Sequence, residues 1–112
     1  MQVAIPEIEN RSRQDLVAHG AAEWQAAEVA RAVARAEQTG NIICGLYYLE
    51  SYCTQLVSGR VSGTVEPRVT EPRPGTVVAD AGLGFAQPAF TRALPVAVNA
   101  ARKNGIASLA IG

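Results

Sequence analysis

One histidine, one tryptophan, one methionine and two cysteines occur in the 112 residues, and aromatic residues make up only 5%. Each scarcity excludes something. With His19 alone and no CxxC spacing, one copy of the chain assembles no zinc ligand set without carboxylates. Cys44 and Cys53 are nine positions apart. On one helix they would point to opposite faces about 13 Å apart, too far for a disulfide. They are expected as free thiols of a reducing compartment. Charge of one sign is also missing, since ten Lys+Arg balance ten Asp+Glu. Neutrality argues against the cationic cluster that phosphate binding needs, and so against a nucleic-acid partner. No apolar run approaches the roughly 20 residues that span a bilayer. The polar stretch 1–13 has no signal-peptide core. The expectation is a soluble, cytoplasmic protein with neither a metal site nor a membrane partner.

What is present is globular: 48% of the residues are hydrophobic and 18% charged, enough for one modest core. Ser12 followed by Asp15 resembles a capping box and His19-Gly20 a stop, which predicts a short helix over 13–19. Residues 21–38 contain no Gly or Pro, and Ala22, Ala26, Val29, Ala30 and Val33 recur every three or four positions. This predicts a helix with Glu28, Arg31 and Arg35 on its solvated side, ended by Thr39-Gly40-Asn41. A third helix is expected over 43–58 with Gly59 as its cap. Its buried stripe would be Leu46, Leu49, Cys53 and Leu56. A second stripe, Cys44, Tyr48, Ser51, Tyr52 and Gln55, is chemically mixed, and it suits a polar ligand or another chain.

After Gly59 the glycines and prolines spread through a Val- and Thr-rich stretch that cannot be one helix. Extended segments are expected, then a strand over 76–80, a helix over 89–104 and a strand over 106–111, the last two strands parallel through a crossover. Pro95 either kinks that helix or makes it begin near Leu94. The fold class is therefore α/β: a helical segment 1–59, then the start of a mixed α/β domain, 60–112. A buried parallel strand needs cover on both faces, and one helix cannot supply it, so the expectation is a truncated, incomplete fold.

Gly82-Leu83-Gly84 sits between strand and helix, but the third glycine of a dinucleotide fingerprint is absent, and no Asp or Glu follows Asp80. A plain turn is the preferred reading, with Asp80 accepting from its amides rather than acting in catalysis. Cys44, taken alone, suits a small buried residue better than a nucleophile, since no His or Lys lies within a turn to activate it. Tyr47, Tyr48 and Tyr52 suit packing at an interface or the edge of a core better than substrate binding, Trp24 a packing anchor, and His19 a helix end.

The order Thr39-Gly40-Asn41-Ile42-Ile43-Cys44-Gly45-Leu46-Tyr47-Tyr48-Leu49-Glu50-Ser51-Tyr52, then Gly59-Arg60-Val61, Pro67-Arg68-Val69, Val77-Val78-Ala79-Asp80, Gly82-Leu83-Gly84 and 100–107, resembles the N-terminal part of the malate/L-lactate dehydrogenase family. That family is distinct from the Rossmann dehydrogenases, and it includes ureidoglycolate and sulfolactate dehydrogenases and cyclic imino-acid reductases. The resemblance implies a homodimer that transfers hydride between NAD or NADP and a small 2-keto acid or cyclic imine. It implies a non-Rossmann fold of which this chain is the N-terminal portion. It places Cys44, Tyr48 and Tyr52 at the family's site. The family carries Ser-His-Gly, an Arg four residues after the His and a Tyr four after that. Of these only Gly45 and Tyr52 match, while Cys44 and Tyr48 stand where the proton-transferring His and the carboxylate-holding Arg are usual. A thiol and a phenol do not replace them directly. Either the branch uses other groups or its chemistry is lost. The expected function is the N-terminal part of such an oxidoreductase, inactive when isolated; the alternative is a small helical dimerisation module.

Overall fold

A computed structural model of the chain describes residues 3–112. These divide into two compact units, one ending at Thr64 and the other spanning Val65–Gly112.

The first unit is helical. Helix α1 spans Ile5–Ala18 and α2 Glu23–Gln38; a 3-10 turn at Ile42–Cys44 leads into α3, Leu46–Ser58. α1 starts earlier than the capping-box pattern predicts because Pro6 occupies its first turn, where a missing N–H costs nothing. Ser12 is consequently no cap: it lies inside α1, fully buried, and its hydroxyl has no hydrogen-bond partner. His19 does serve the helix end, with Nδ1 2.6 Å from the Asp15 carbonyl. α2 follows the alanine pattern closely. Ala26, Val29, Ala30 and Val33 are buried, and Arg31 pairs with Glu28 outside the core. Its start is pinned by the Ala22 N–H, which donates to the Gly63 carbonyl at 2.8 Å. A Cβ on Gly63 would lie 2.7 Å from the Ala21 Cα, so the close approach requires glycine.

α3 begins three residues later than the periodicity predicts, because Ile42, Ile43 and Cys44 form the tighter turn. Of the four residues expected in its buried stripe only Cys53 is buried; Leu49 and Leu56 are half-buried and Leu46 is exposed. Cys44 is exposed rather than a small core residue, and both cysteines are free. Gly59 caps α3 at φ 79°.

The second unit is a three-stranded sheet with one helix. β1, Arg68–Arg73, pairs antiparallel with β2, Thr76–Asp80, and β2 pairs parallel with β3, Ser108–Ile111, giving the order β1-β2-β3. The β1–β2 register shifts between Thr70 and Arg73, where Pro72 cannot donate a ladder bond. α4, Ala86–Asn104, is continuous through Pro95 and begins three residues before the predicted start. Alternation on β2 buries Val77 and Ala79. Ala79 and Ala81 pack with Ala89 and Ala93 of α4, with Val69 and Leu109 beside them. The class is the expected α/β, and the β2-α4-β3 connection is the expected parallel crossover. Among the described residues no helix is long and apolar enough to cross a membrane.

Candidate functional site

The exposed side of α3 and the turn before it carry tyrosines, hydroxyl residues and a free thiol. α3 buries only Cys53, and its less buried positions include Tyr47, Tyr48, Glu50, Ser51, Thr54, Gln55 and Ser58. With Leu46 and Arg60 these line an open groove of about 1070 Å³ that follows the helix. Tyr48 and Tyr52, one turn apart, meet edge to face with ring centroids 5.1 Å apart. Tyr48 is 41% exposed and Tyr47 78%. Gln55 Nε2 donates to Ser51 Oγ at 3.0 Å. Glu50 and Arg60 are the charged residues of the lining.

Of the expected stripe, the structure brings Tyr48, Ser51 and Gln55 to the groove, with Tyr52 against Tyr48. Cys44 is not among the lining residues. It sits in the 3-10 turn, exposed, so the helical spacing that would stack it below Tyr48 does not hold. Cys53 is on the inner side, and burial, with the Asp15 charge adding to it, pushes its thiol up from the ordinary value.

Sequence reasoning missed Glu37. From the last turn of α2 its Oε1 accepts a hydrogen bond from the Leu46 N–H at 2.8 Å, satisfying a free donor at the start of α3. Gly45, buried, makes room for it: a Cβ there would overlap Glu37 Oε1 and lie 2.8 Å from its Cδ. The available signal was electrostatic. A carboxylate in the last turn of a helix opposes that helix's own dipole, which makes sense when it serves the next helix's N-terminus.

The Gly82-Leu83-Gly84 turn does not fit a dinucleotide. Gly82 N–H donates to Asp80 Oδ1 at 2.8 Å and Gly84 N–H to the Ala81 carbonyl at 2.8 Å. The amides that would cradle a pyrophosphate are used, and a carboxylate stands beside them. Asp80 thus has the structural role preferred for it. Leu83, 79% exposed, is the one non-glycine residue at positive φ, 67°, among the described residues. Among them, too, no group of three or more His, Cys, Asp and Glu is arranged to hold a metal.

The family model described as malate/L-lactate dehydrogenase matches residues 3–112. The chain belongs to the malate/L-lactate dehydrogenase family. It is similar to the Delta(1)-pyrroline-2-carboxylate/Delta(1)-piperideine-2-carboxylate reductase of Pseudomonas putida, 35% identical over 111 residues, which are 99% of this chain and 33% of the relative. It is also similar to the (2R)-3-sulfolactate dehydrogenase (NADP(+)) of Chromohalobacter salexigens, 34% identical over 110 residues, 98% of this chain and 33% of the relative. Among solved structures, the delta1-piperideine-2-carboxylate reductase of Pseudomonas syringae superposes with a TM-score of 0.94 at 33% identity, covering 99% of this chain and 33% of that one. The chain therefore spans about a third of the length of the relatives it matches. The structure sets Gly45 against the Glu37 carboxylate and Tyr52 against the Tyr48 ring.

Proposed function

We propose that this chain forms the substrate-side wall of a larger, homodimeric, cytoplasmic oxidoreductase that uses NAD or NADP to reduce a cyclic imino acid, or to interconvert a 2-keto and a 2-hydroxy acid. The observation that carries the reading is Tyr48 in the groove with Tyr52 packed edge to face against it, in a chain 35% identical to an imino-acid reductase. The nicotinamide cofactor supplies the hydride when bound. The 82–84 turn does not fit it, because its glycine amides are already bonded within the turn.

The chain's own residues bind and orient. The Tyr48 and Tyr52 phenols donate hydrogen bonds to a polar atom of the substrate, and the Cys44 thiol in the adjoining turn is a weak further donor. A thiol and two phenols offer single hydrogen bonds, not the two-pronged charged fork that an arginine at the Tyr48 position would give a carboxylate. Alone, the 112 residues are expected to be inactive. The test is turnover of Δ1-piperideine-2-carboxylate, pyruvate and sulfopyruvate with NADH and NADPH by the protein that carries this chain. Changing both Tyr48 and Tyr52 to Phe is expected to lower kcat/KM about tenfold to a hundredfold, the worth of one to two lost hydrogen bonds. Unchanged turnover in the double variant overturns the assignment.

A further inference from the structure

We propose that Glu37 is a positioning residue, whose carboxylate locks the turn carrying Cys44 to the first turn of α3 carrying Tyr48. The inference rests on the functional reading above and extends it to a residue on a different helix. Three observations converge. The Glu37 Oε1 accepts from the Leu46 N–H at 2.8 Å, at the first residue of α3. Gly45, the residue between Cys44 and Leu46, is buried and cannot gain a Cβ without displacing that carboxylate. The cap residue of α3 is that same glycine, which has no side chain to do the work, and the helix carries no acidic residue in its own first turn.

The physics favours a lock over a passive contact. The start of a helix has free N–H groups and a partial positive charge, and an anion there adds hydrogen bonding and dipole stabilisation together. Here the anion comes from 9 positions away in sequence, so one contact ties α2, the 3-10 turn and α3. α2 also packs against both the turn and α3. Its buried residues, Val29 and Val33 among them, make α2 the fixed side of the contact. The short turn, whose Ile42, Ile43 and Cys44 are all exposed, is the side being held.

The test has two arms. In the first, amide hydrogen exchange is followed by NMR in the 112-residue chain and in Glu37→Ala, Glu37→Gln and Gly45→Ala. Glu37→Ala should exchange the Leu46 amide about five- to tenfold faster, the usual worth of a helix cap. Glu37→Gln, which keeps an oxygen acceptor but not the charge, should recover part of that protection. Gly45→Ala should reproduce the loss, and combining it with Glu37→Ala should add little, because both remove one interaction. Val29 and Val33 amides should be unchanged. Unaltered Leu46 exchange overturns the proposal, and so does an equal loss at Val29 and Val33, which would make Glu37 a general support of α2.

In the second arm, turnover by the protein carrying the chain should show kcat/KM reduced about five- to tenfold in Glu37→Ala and partly restored in Glu37→Gln. Loss of the cap with unchanged kcat/KM overturns the positioning role and leaves the proposed function standing. No turnover by the unmodified protein on any substrate overturns the proposed function, and the exchange arm then decides the lock by itself.

Discussion

In the helical unit the deepest apolar positions are Leu16, Ala26, Val29 and Ala30; in the sheet unit they are Val77, Ala79, Ala89 and Ala93, all fully buried. Both cores are built from small side chains, which let backbones approach closely but bury little area per residue. The units differ in what their polar groups do. In the sheet unit, Asp80 at the end of β2 accepts from the Gly82 N–H, and Asn104 Nδ2 at the end of α4 donates to the Ala100 carbonyl at 2.9 Å. On α3, tyrosines and hydroxyl residues face an open groove. Bonds within a turn occur on α3 as well, from Gln55 Nε2 to Ser51 Oγ and from Ser58 Oγ to the Gln55 carbonyl, but there the bonded groups line the groove, whereas in the sheet unit they close a turn and a helix end. The proposed function gives recognition to α3 on that difference.

The largest expected effect tests whether the two small-residue cores are equally brittle. Leu16→Ala empties the biggest fully buried side chain of the helical unit and should cost about 2–5 kcal/mol. Trp24, the only tryptophan and part of α2, reports it by fluorescence during urea unfolding. Val77→Ala in the sheet unit removes less volume and should cost about 2 kcal/mol, read from amide exchange across β2 and β3. Equal costs would show that the sheet unit depends on Val77 more than its volume implies, as expected of a core lined mainly by alanine.

A smaller effect compares the two glycine caps. Gly59 after α3 and Gly105 after α4 have φ of 79° and 84°, and neither has an atom within 4 Å of where a Cβ would stand. Alanine at either position meets no clash, only the left-handed backbone, so each substitution should cost about 1–2 kcal/mol. Similar losses in thermal melts would show that the ends of the two helices are stabilised by conformation alone. A larger loss at Gly59 would show that α3 also depends on its end for the geometry of the groove.

The elements that were legible in the sequence are those whose signal is local. The alanine period of α2, the Gly59 and Gly105 stops, the β-branched β2 and the parallel crossover each follow from a few neighbouring residues. The misses involve competition. Ser12 and Asp15 imitate a cap, but Pro6 starts the helix two turns earlier, so Ser12 ends inside it. The apolar period of α3 extends back through Ile43, yet Asn41 and Gly45 close a 3-10 turn there, with the Cys44 N–H donating to the Asn41 carbonyl at 3.2 Å. That shift moved Cys44 out of register with Tyr48. Of the candidate site, Tyr48 and Tyr52 were legible because helix spacing pairs them. Glu37 was not read, because its partner is a backbone amide on another helix; the mark it leaves is only a carboxylate at the unfavourable end of its own helix dipole.

The smallest effect uses the two thiols, and it would sharpen the contrast between the inner and outer sides of α3. Cys53 is buried, and desolvation, with the Asp15 charge adding to it, raises its pKa above 9.0. In the unfolded chain the same thiol ionises near the ordinary value. Between the two values the folded state binds the proton and the unfolded state does not, so stability falls as pH rises above about 9 and is unaffected below. Cys53→Ala should abolish that alkaline loss in the Trp24-detected transition, and Asp15→Asn should reduce it, since Asp15 is the lesser of the two causes. Under native conditions at neutral pH a disulfide reagent should modify the exposed Cys44 and leave Cys53 until the helical unit opens. If both thiols react at the same rate, α3 lacks the closed inner side described here, and the separation of a packing face from a recognition face on one helix fails with it.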